Sequence, residues 1–173
     1  MEHLTIAPYA HYGRPKGQGL KLHLGCGDYW FEGYINIDAQ VFAGTDMIAD
    51  IRESLPFQPE TIETIEAHDV VEHFNRDEVH NILEDWKRVL IPEGKVIISV
   101  PDMDGLIAQY EHDKENTIQQ IYSIVDHPSH KWGYTKESMF KLLEHHGLNN
   151  IQVSQVEYEH RSGEPKLKAT ATK

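Results

Sequence analysis

The sequence predicts an α/β fold in three layers, built on a seven-stranded, mostly parallel sheet whose last strand runs antiparallel. Three observations predict it. Short apolar or alternating segments recur along the chain, each bounded by Gly, Pro, Asn or Asp. Between two of them, Arg76 to Leu90 carries Val79, Ile82, Leu83, Trp86, Val89 and Leu90 at helical spacing, and a helix between strands returns the chain parallel by a right-handed crossover. The last two segments are separated by little more than SGEP, a turn short enough only for an antiparallel pair.

Residues 1–19 are rich in Gly, Pro, Tyr and His, show no period, and read as an irregular arm. The domain proper is expected over 20–173. Leu20, Leu22 and Leu24 alternate with Lys21 and His23 and stop at Gly25, a first strand. Tyr34 to Asp38 is the second and Asp46 to Asp50 the third, with connections too short for full helices. Pro56 breaks the chain before the fourth strand, Thr61 to Ala67, where the spacing of Ile62 and Ile65 leaves the buried face open. The helix over 76–90 is ended by Pro92 to Gly94, and KVIISV is a near-continuous apolar run of the kind a doubly covered parallel strand shows. Gly105 to Val125 is helical with an interruption around HDKEN, and His127 to Tyr134 is a loop. Thr135 then caps a helix carrying Met139, Leu142 and Leu143, which Gly147 closes. Ile151 to Glu157 and Lys166 to Thr172 are the closing strands.

At 173 residues the chain fits one domain. Its 28 acidic against 16 basic side chains give a net charge of -12, so a phosphate backbone would be repelled and nucleic acid is not expected as a partner. The lone Cys26 has no internal disulfide partner, the N-terminal stretch lacks the apolar run of a signal peptide, and no segment reaches the ~20 apolar residues of a membrane span. The expectation is a soluble, cytoplasmic protein that does not engage membranes.

Leu22 to Asp28 reads LHLGCGD, and the next strand ends in Asp38. A glycine turn after one strand and an acid ending the next set backbone N–H groups at one end of a nucleoside ligand and a carboxylate at its ribose. A dinucleotide site wants a third glycine where this chain has Trp30, and Asp28 would face a pyrophosphate with the wrong sign. No G-x-x-x-x-G-K-[ST] loop occurs. A ligand with an ammonium group and no phosphate suits the loop better: Asp28 pairs with the amine and Asp38 accepts from both ribose hydroxyls, as S-adenosylmethionine would require.

LHLGCGD, YINID, ADIRESLPF, IEAHDVVEHF, LIPEGKVIISVPD and HKWGYTKESMFKLLEHHGL, in that order, resemble the motifs of small class I S-adenosylmethionine-dependent methyltransferases of the type 11 kind, over roughly residues 20–172. The resemblance implies a Rossmann-like sheet with an antiparallel last strand and S-adenosylmethionine as cofactor. By position it puts Gly25, Cys26 and Gly27 under the methionine part, Asp38 at the ribose, Asp50 and Ile51 beside the adenine, and Ala67 and His68 next to the sulfonium and the substrate. It also puts His130, Trp132 and Tyr134 near the substrate mouth. The very short first and second crossovers depart from the fuller pattern and leave Tyr29, Trp30 or the arm to cover the cofactor.

Displacement at a sulfonium methyl needs alignment and exclusion of water, and a base only where the acceptor sheds a proton. His68 and His73, after the fourth strand, are the candidate bases. The competing structural roles are an N-cap for Asp69, a solvated first-turn acid for Glu72, packing beside Phe74 for His73, an N-cap for Asp102, and an anchor for the following helix at Trp132. Cys26 reads as a small spacer. The 12 histidines show no H-E-x-x-H or comparable spacing, so no metal is expected. The function expected is methyl transfer to an N or O atom of a small molecule, a sugar or surface-polysaccharide precursor; the alternative is a non-catalytic cofactor-binding or scaffolding subunit.

Overall fold

The computed structural model describes residues 19–122, 129–156 and 164–173; most of the arm 1–19 lies outside them. The strands are β1 (Leu20–Leu24), β2 (Ile35–Asp38), β3 (Met47–Ile48), β4 (Ile62–His68), β5 (Leu90–Pro101), β6 (Asn149–Val156) and β7 (Lys166–Thr172). The helices are α1 (Arg76–Val89), α2 (Met103–Tyr110), α3 (Lys114–Tyr122) and α4 (Lys136–His145). One seven-stranded sheet has the order β3-β2-β1-β4-β5-β7-β6. Its first five strands pair parallel, and β7 runs antiparallel between β5 and β6, as predicted.

Register explains the alternation seen in β1. Ile35, Leu22, Ile65, Val96 and Ala171 lie in one row across five strands, and all are buried. Two residues along, Ile37, Leu24, Ala67, Ile98 and Ala169 repeat it. Against this face α1 packs Val79, Ile82, Leu83, Trp86 and Val89, and α4 packs Met139 and Leu143, forming one core. The irregular spacing of Ile62 and Ile65 comes from a register shift between Ile62 and Thr64, which resets the alternation and buries both.

The intervening row is Asn36, His23, Glu66, Ile97 and Thr170, followed by His68, Ser99 and Lys168. That face is polar. A parallel sheet is ordinarily covered on both sides by its crossover helices, but no helix follows β1, β2 or β3 here. The short β1–β2 connection covers part of the polar face with aromatic rings instead. Phe31 stacks on His23 at 4.0 Å between centroids, and the Tyr34 hydroxyl donates to Glu66.

The helix limits differ from expectation in two places. Pro92 to Gly94 does not end α1; β5 starts at Leu90 directly after it. The break between α2 and α3 falls at 111–113, so that Lys114, Glu115 and Asn116 begin α3. The ends of α4 are as predicted. The Thr135 hydroxyl accepts from Ser138 N–H at 3.1 Å, while Gly147 (φ 65) and Leu148 return N–H groups to Glu144 and Leu143, a Schellman closure. Thr135→Ala is expected to cost about 1 kcal/mol, a melting-temperature drop of roughly 2–4 °C by scanning calorimetry.

Candidate functional site

Parallel strands β1, β2, β4 and β5 end on one edge of the sheet, where an α/β fold collects its ligands. The turn after β1 has Gly25 at φ 65 and Gly27 at φ 51, a left-handed pair that β-carbon-bearing residues adopt only with strain. Gly25 lies against Val70: a Cβ there would meet Val70 Cγ2 at 2.4 Å. At Gly27 a Cβ would meet nothing within 4 Å, so backbone is bared to open space. Gly27 N–H donates to Asp38 Oδ2 at 2.9 Å, and Gln40 N–H to Oδ1 at 3.0 Å. The turn and the acid ending β2 are therefore joined directly, with the carboxylate retaining lone pairs for further donors.

Cys26 fits the spacer reading. It is buried, its N–H donates to Ile37 O at 3.1 Å, and burial pushes its thiol pKa up, away from a nucleophilic thiolate. Asp28 is exposed, and so are Tyr29 and Trp30, about three-fifths open to solvent beside the turn. Gly44 passes beneath Trp30, where a Cβ would come within 2.5 Å of the tryptophan.

Beyond β3, Asp50 is held below the usual carboxylate range by its paired hydrogen bonds from Arg52 Nε, both at 3.0 Å. Ile51 is buried and fixes this segment. The following Leu55 to Phe57 stretch is tied to α1: Asp85 Oδ2 accepts from Leu55 N–H at 2.8 Å, and Arg88 donates to the carbonyls of Phe57 and Leu55 at 2.7 and 3.0 Å. The helix thus sets the wall below the expected adenine position.

The end of β4 departs most from the sequence expectation. Ala67 is fully buried, and its neighbour His68 turns onto the polar face. There His68 Nδ1 bonds Ser99 Oγ at 2.7 Å and Nε2 bonds Glu66 Oε2 at 3.0 Å. With both ring nitrogens engaged on that face, His68 links β4 to β5. Its hydrogen bond to Glu66 is the main reason that Glu66 ionises below the ordinary carboxylate range. Asp69 is not an N-cap: at φ 55 it ion-pairs with the buried Lys166, and α1 is instead capped by Asn75, whose N–H donates to Glu78 at 2.7 Å.

Glu72 is not a solvated acid. It is 1% exposed, and neither carboxylate oxygen has a hydrogen-bond partner among the described residues. Burial, then the neighbouring Asp69 charge, push its carboxyl well above the ordinary range. His73 faces His130 rather than only Phe74, with ring centroids 4.9 Å apart, and His130 Nε2 lies 4.0 Å from Glu72 Oε1. The Glu72 carbonyl accepts from Lys131 and Trp132 N–H at 2.8 and 3.2 Å, clamping the loop that carries His130 onto the turn after β4. Local spacing hid this grouping because its members lie on separate segments; the unusual signal was an acid and a histidine side by side just past a strand end.

Trp132 and Tyr134 exchange their expected roles. Trp132 is 44% exposed beneath the Arg76 guanidinium, whereas Tyr134 is buried, bridges Asp102 and receives the Met103 N–H on its carbonyl at 2.9 Å. Tyr134 is the anchor. Both line a cavity of about 470 Å³ with Arg76, His80, Lys141 and His145, between α1 and α4. Asp102 caps α2, accepting from Asp104 N–H at 3.1 Å.

Residues 35–98 match the family described as Methyltransferase domain. An uncharacterised protein of Methanocaldococcus jannaschii is 27% identical over 151 residues, 82% of this chain and 69% of that protein. Among solved structures, an S-adenosylmethionine-dependent methyltransferase of Archaeoglobus fulgidus aligns with TM-score 0.63 at 14% identity, over 91% of this chain and 87% of that one. The 1,6-didemethyltoxoflavin-N1-methyltransferase of Burkholderia thailandensis, solved with bound 1,6-didemethyltoxoflavin and S-adenosylhomocysteine, aligns with TM-score 0.64 at 18% identity, over 95% of this chain and 73% of that one.

Proposed function

We propose that the chain, which has the fold of class I S-adenosylmethionine-dependent methyltransferases and a methyltransferase-domain match over residues 35–98, transfers a methyl group from S-adenosylmethionine to an N or O atom of a small molecule. The observation that supports this reading most is the direct bond between Gly27 and Asp38 beside a backbone surface that no side chain fills. The cofactor supplies a sulfonium methyl open to direct displacement. Gly25 to Gly27 would cradle its methionine part, Asp28 would pair with the amine, and Asp38 would accept from the ribose hydroxyls. Asp50 and Ile51 would border the adenine. Exposed Tyr29 and Trp30 would shield the bound ligand from water, a task that the helix-less crossovers leave to them.

The acceptor side is assigned to the turn after β4 and the loop facing it, with His73, His130 and Trp132 as its nearest polar and aromatic groups. A sugar or surface-polysaccharide precursor is the acceptor class we favour, because compact chains with these motifs resemble the methyltransferases of such pathways. Alignment of donor and acceptor is the chain's main contribution to rate.

Titration calorimetry with S-adenosylhomocysteine, followed by product detection over a panel of sugar and amine acceptors, tests the proposal. Micromolar binding of the homocysteine ligand and a methylated product are expected. Absence of binding would sink the cofactor assignment, and binding without turnover on any acceptor would leave a cofactor-binding subunit.

A further inference from the structure

We propose that Glu72, His73 and His130 bind a divalent transition-metal cation, set at the acceptor side of the site. One carboxylate oxygen and one nitrogen from each imidazole already lie within 4.8 Å of one another, a span that a single ion of two-ångström bonds closes with small side-chain movements. The second observation is independent of that spacing. Glu72 is among the most buried acids of the protein, yet both of its oxygens lack a donor in the described chain. A carboxyl buried this deeply either keeps its proton or meets a compensating positive charge, and with no described hydrogen-bond donor at either oxygen a bound cation would supply that charge and displace the proton.

The surrounding charge favours a cation. Asp69 and Glu164 both pair with Lys166, Glu164 at 3.2 Å, so the two acids together already exceed that single ammonium before Glu72 is counted. The chain holds the ligands firmly. His130 Nδ1 bonds the Ile121 carbonyl at 3.1 Å, which fixes its ring with Nε2 4.0 Å from Glu72 Oε1. Lys131 and Trp132 bind the Glu72 backbone, so the two segments meet without the ion.

Two imidazoles and a carboxylate suit manganese, iron, cobalt or zinc better than magnesium, which prefers an all-oxygen shell. Three protein ligands leave positions for others. Val70, two residues before Glu72, touches Gly25 of the glycine turn, so the ion would stand near the methyl donor. Resting on the methyltransferase reading above, the inference deepens it: the acceptor is a molecule that offers the ion one or two oxygens, such as adjacent hydroxyls. On transfer, the metal-held oxygen gives its proton to solvent and its electron pair to the methyl carbon. The carbon–sulfur pair remains on sulfur as a neutral thioether.

Manganese(II) binding followed by electron paramagnetic resonance, and zinc(II) by equilibrium dialysis, test the site without turnover. One ion per chain is expected, weakened at least about tenfold in Glu72→Gln, which keeps the buried volume, and in His130→Ala, which lies on a different segment. S-Adenosylhomocysteine affinity should stay within about twofold in both variants, which also certifies that they fold. A wild-type chain that binds S-adenosylhomocysteine but neither ion overturns this inference and leaves the methyltransferase reading intact, as does unchanged ion affinity in both variants.

Discussion

Asp38→Ala is expected to weaken S-adenosylhomocysteine binding by at least about a hundredfold while leaving the fold nearly as stable as before. The asymmetry follows from what the carboxylate touches. In the free protein it accepts two backbone N–H groups, from Gly27 at 2.9 Å and Gln40 at 3.0 Å. Gln40 is exposed and Gly27 partly so, and water can replace the lost acceptor at each, so the cost should be about 1 kcal/mol. In the complex the same carboxylate would accept from two ribose hydroxyls, and hydrogen bonds to a charged group contribute about 1.5–3 kcal/mol each. Losing both amounts to at least about two decades in affinity. Asp38→Asn keeps one acceptor oxygen and should fall between. Calorimetry on the three chains distinguishes the cases, and an alanine variant that binds like wild type would show that the ribose lies elsewhere.

The pairing behind that prediction was legible because it is local. A strand that stops at Gly25 and a neighbour that stops at Asp38 can only bring turn and acid together if the two strands pair in parallel, and Leu24 pairs with Ile37 as required. The capping of α4 was equally readable, because Thr135, Ser138 and Gly147 settle their own backbone partners within a few residues. His68 was not. Its position at the end of β4 was foreseen, but the side to which it points depends on the register of β4 against both neighbours, and on a shift at Ile62 to Thr64 that no periodicity displays. The grouping of Glu72, His73 and His130 was hidden for the related reason that a loop from beyond α3 must fold back onto the turn after β4.

The polar sheet face is a further case in which the residues were readable and their meaning was not. Lys21 and His23 alternate with leucines in β1, a pattern that belongs to a half-covered strand, yet parallel sheets are ordinarily covered twice. The missing helices after β1 and β2 reconcile the two. With no apolar layer to meet, the face is polar, and it satisfies itself through Tyr34, Glu66, His68 and Ser99. His23 carries the cost of that solution: burial lowers its pKa, so the folded chain prefers it neutral. Phe31 and Tyr34 therefore do for the fold what Tyr29 and Trp30, next to them in the chain, are proposed to do for the cofactor.

Gly25→Ala and Gly27→Ala should separate packing from binding within a single turn. Both glycines have positive φ, and a β-carbon in the left-handed region costs about 1–2 kcal/mol at either. Only Gly25 has a neighbour in the way. Its Cβ would stand 2.4 Å from Val70 Cγ2 and 3.2 Å from Cγ1, and Val70 is itself a buried member of the core, so overpacking adds about 1–3 kcal/mol. The sum, about 2–5 kcal/mol, corresponds to a melting-temperature drop of roughly 4–20 °C for a chain of this size. Gly27→Ala escapes the clash because nothing lies within 4 Å, and it should lose only the strain, roughly 2–8 °C. The order reverses for the ligand. The space beyond Gly27 is where the cofactor backbone contact is proposed, so its methyl should reduce S-adenosylhomocysteine affinity at least about tenfold, whereas a folded Gly25→Ala chain keeps that surface bare. Calorimetric melting and ligand titration on both variants give four numbers. If Gly27→Ala proves the less stable of the two, or binds the ligand as tightly as wild type, the division of labour between the glycines is wrong.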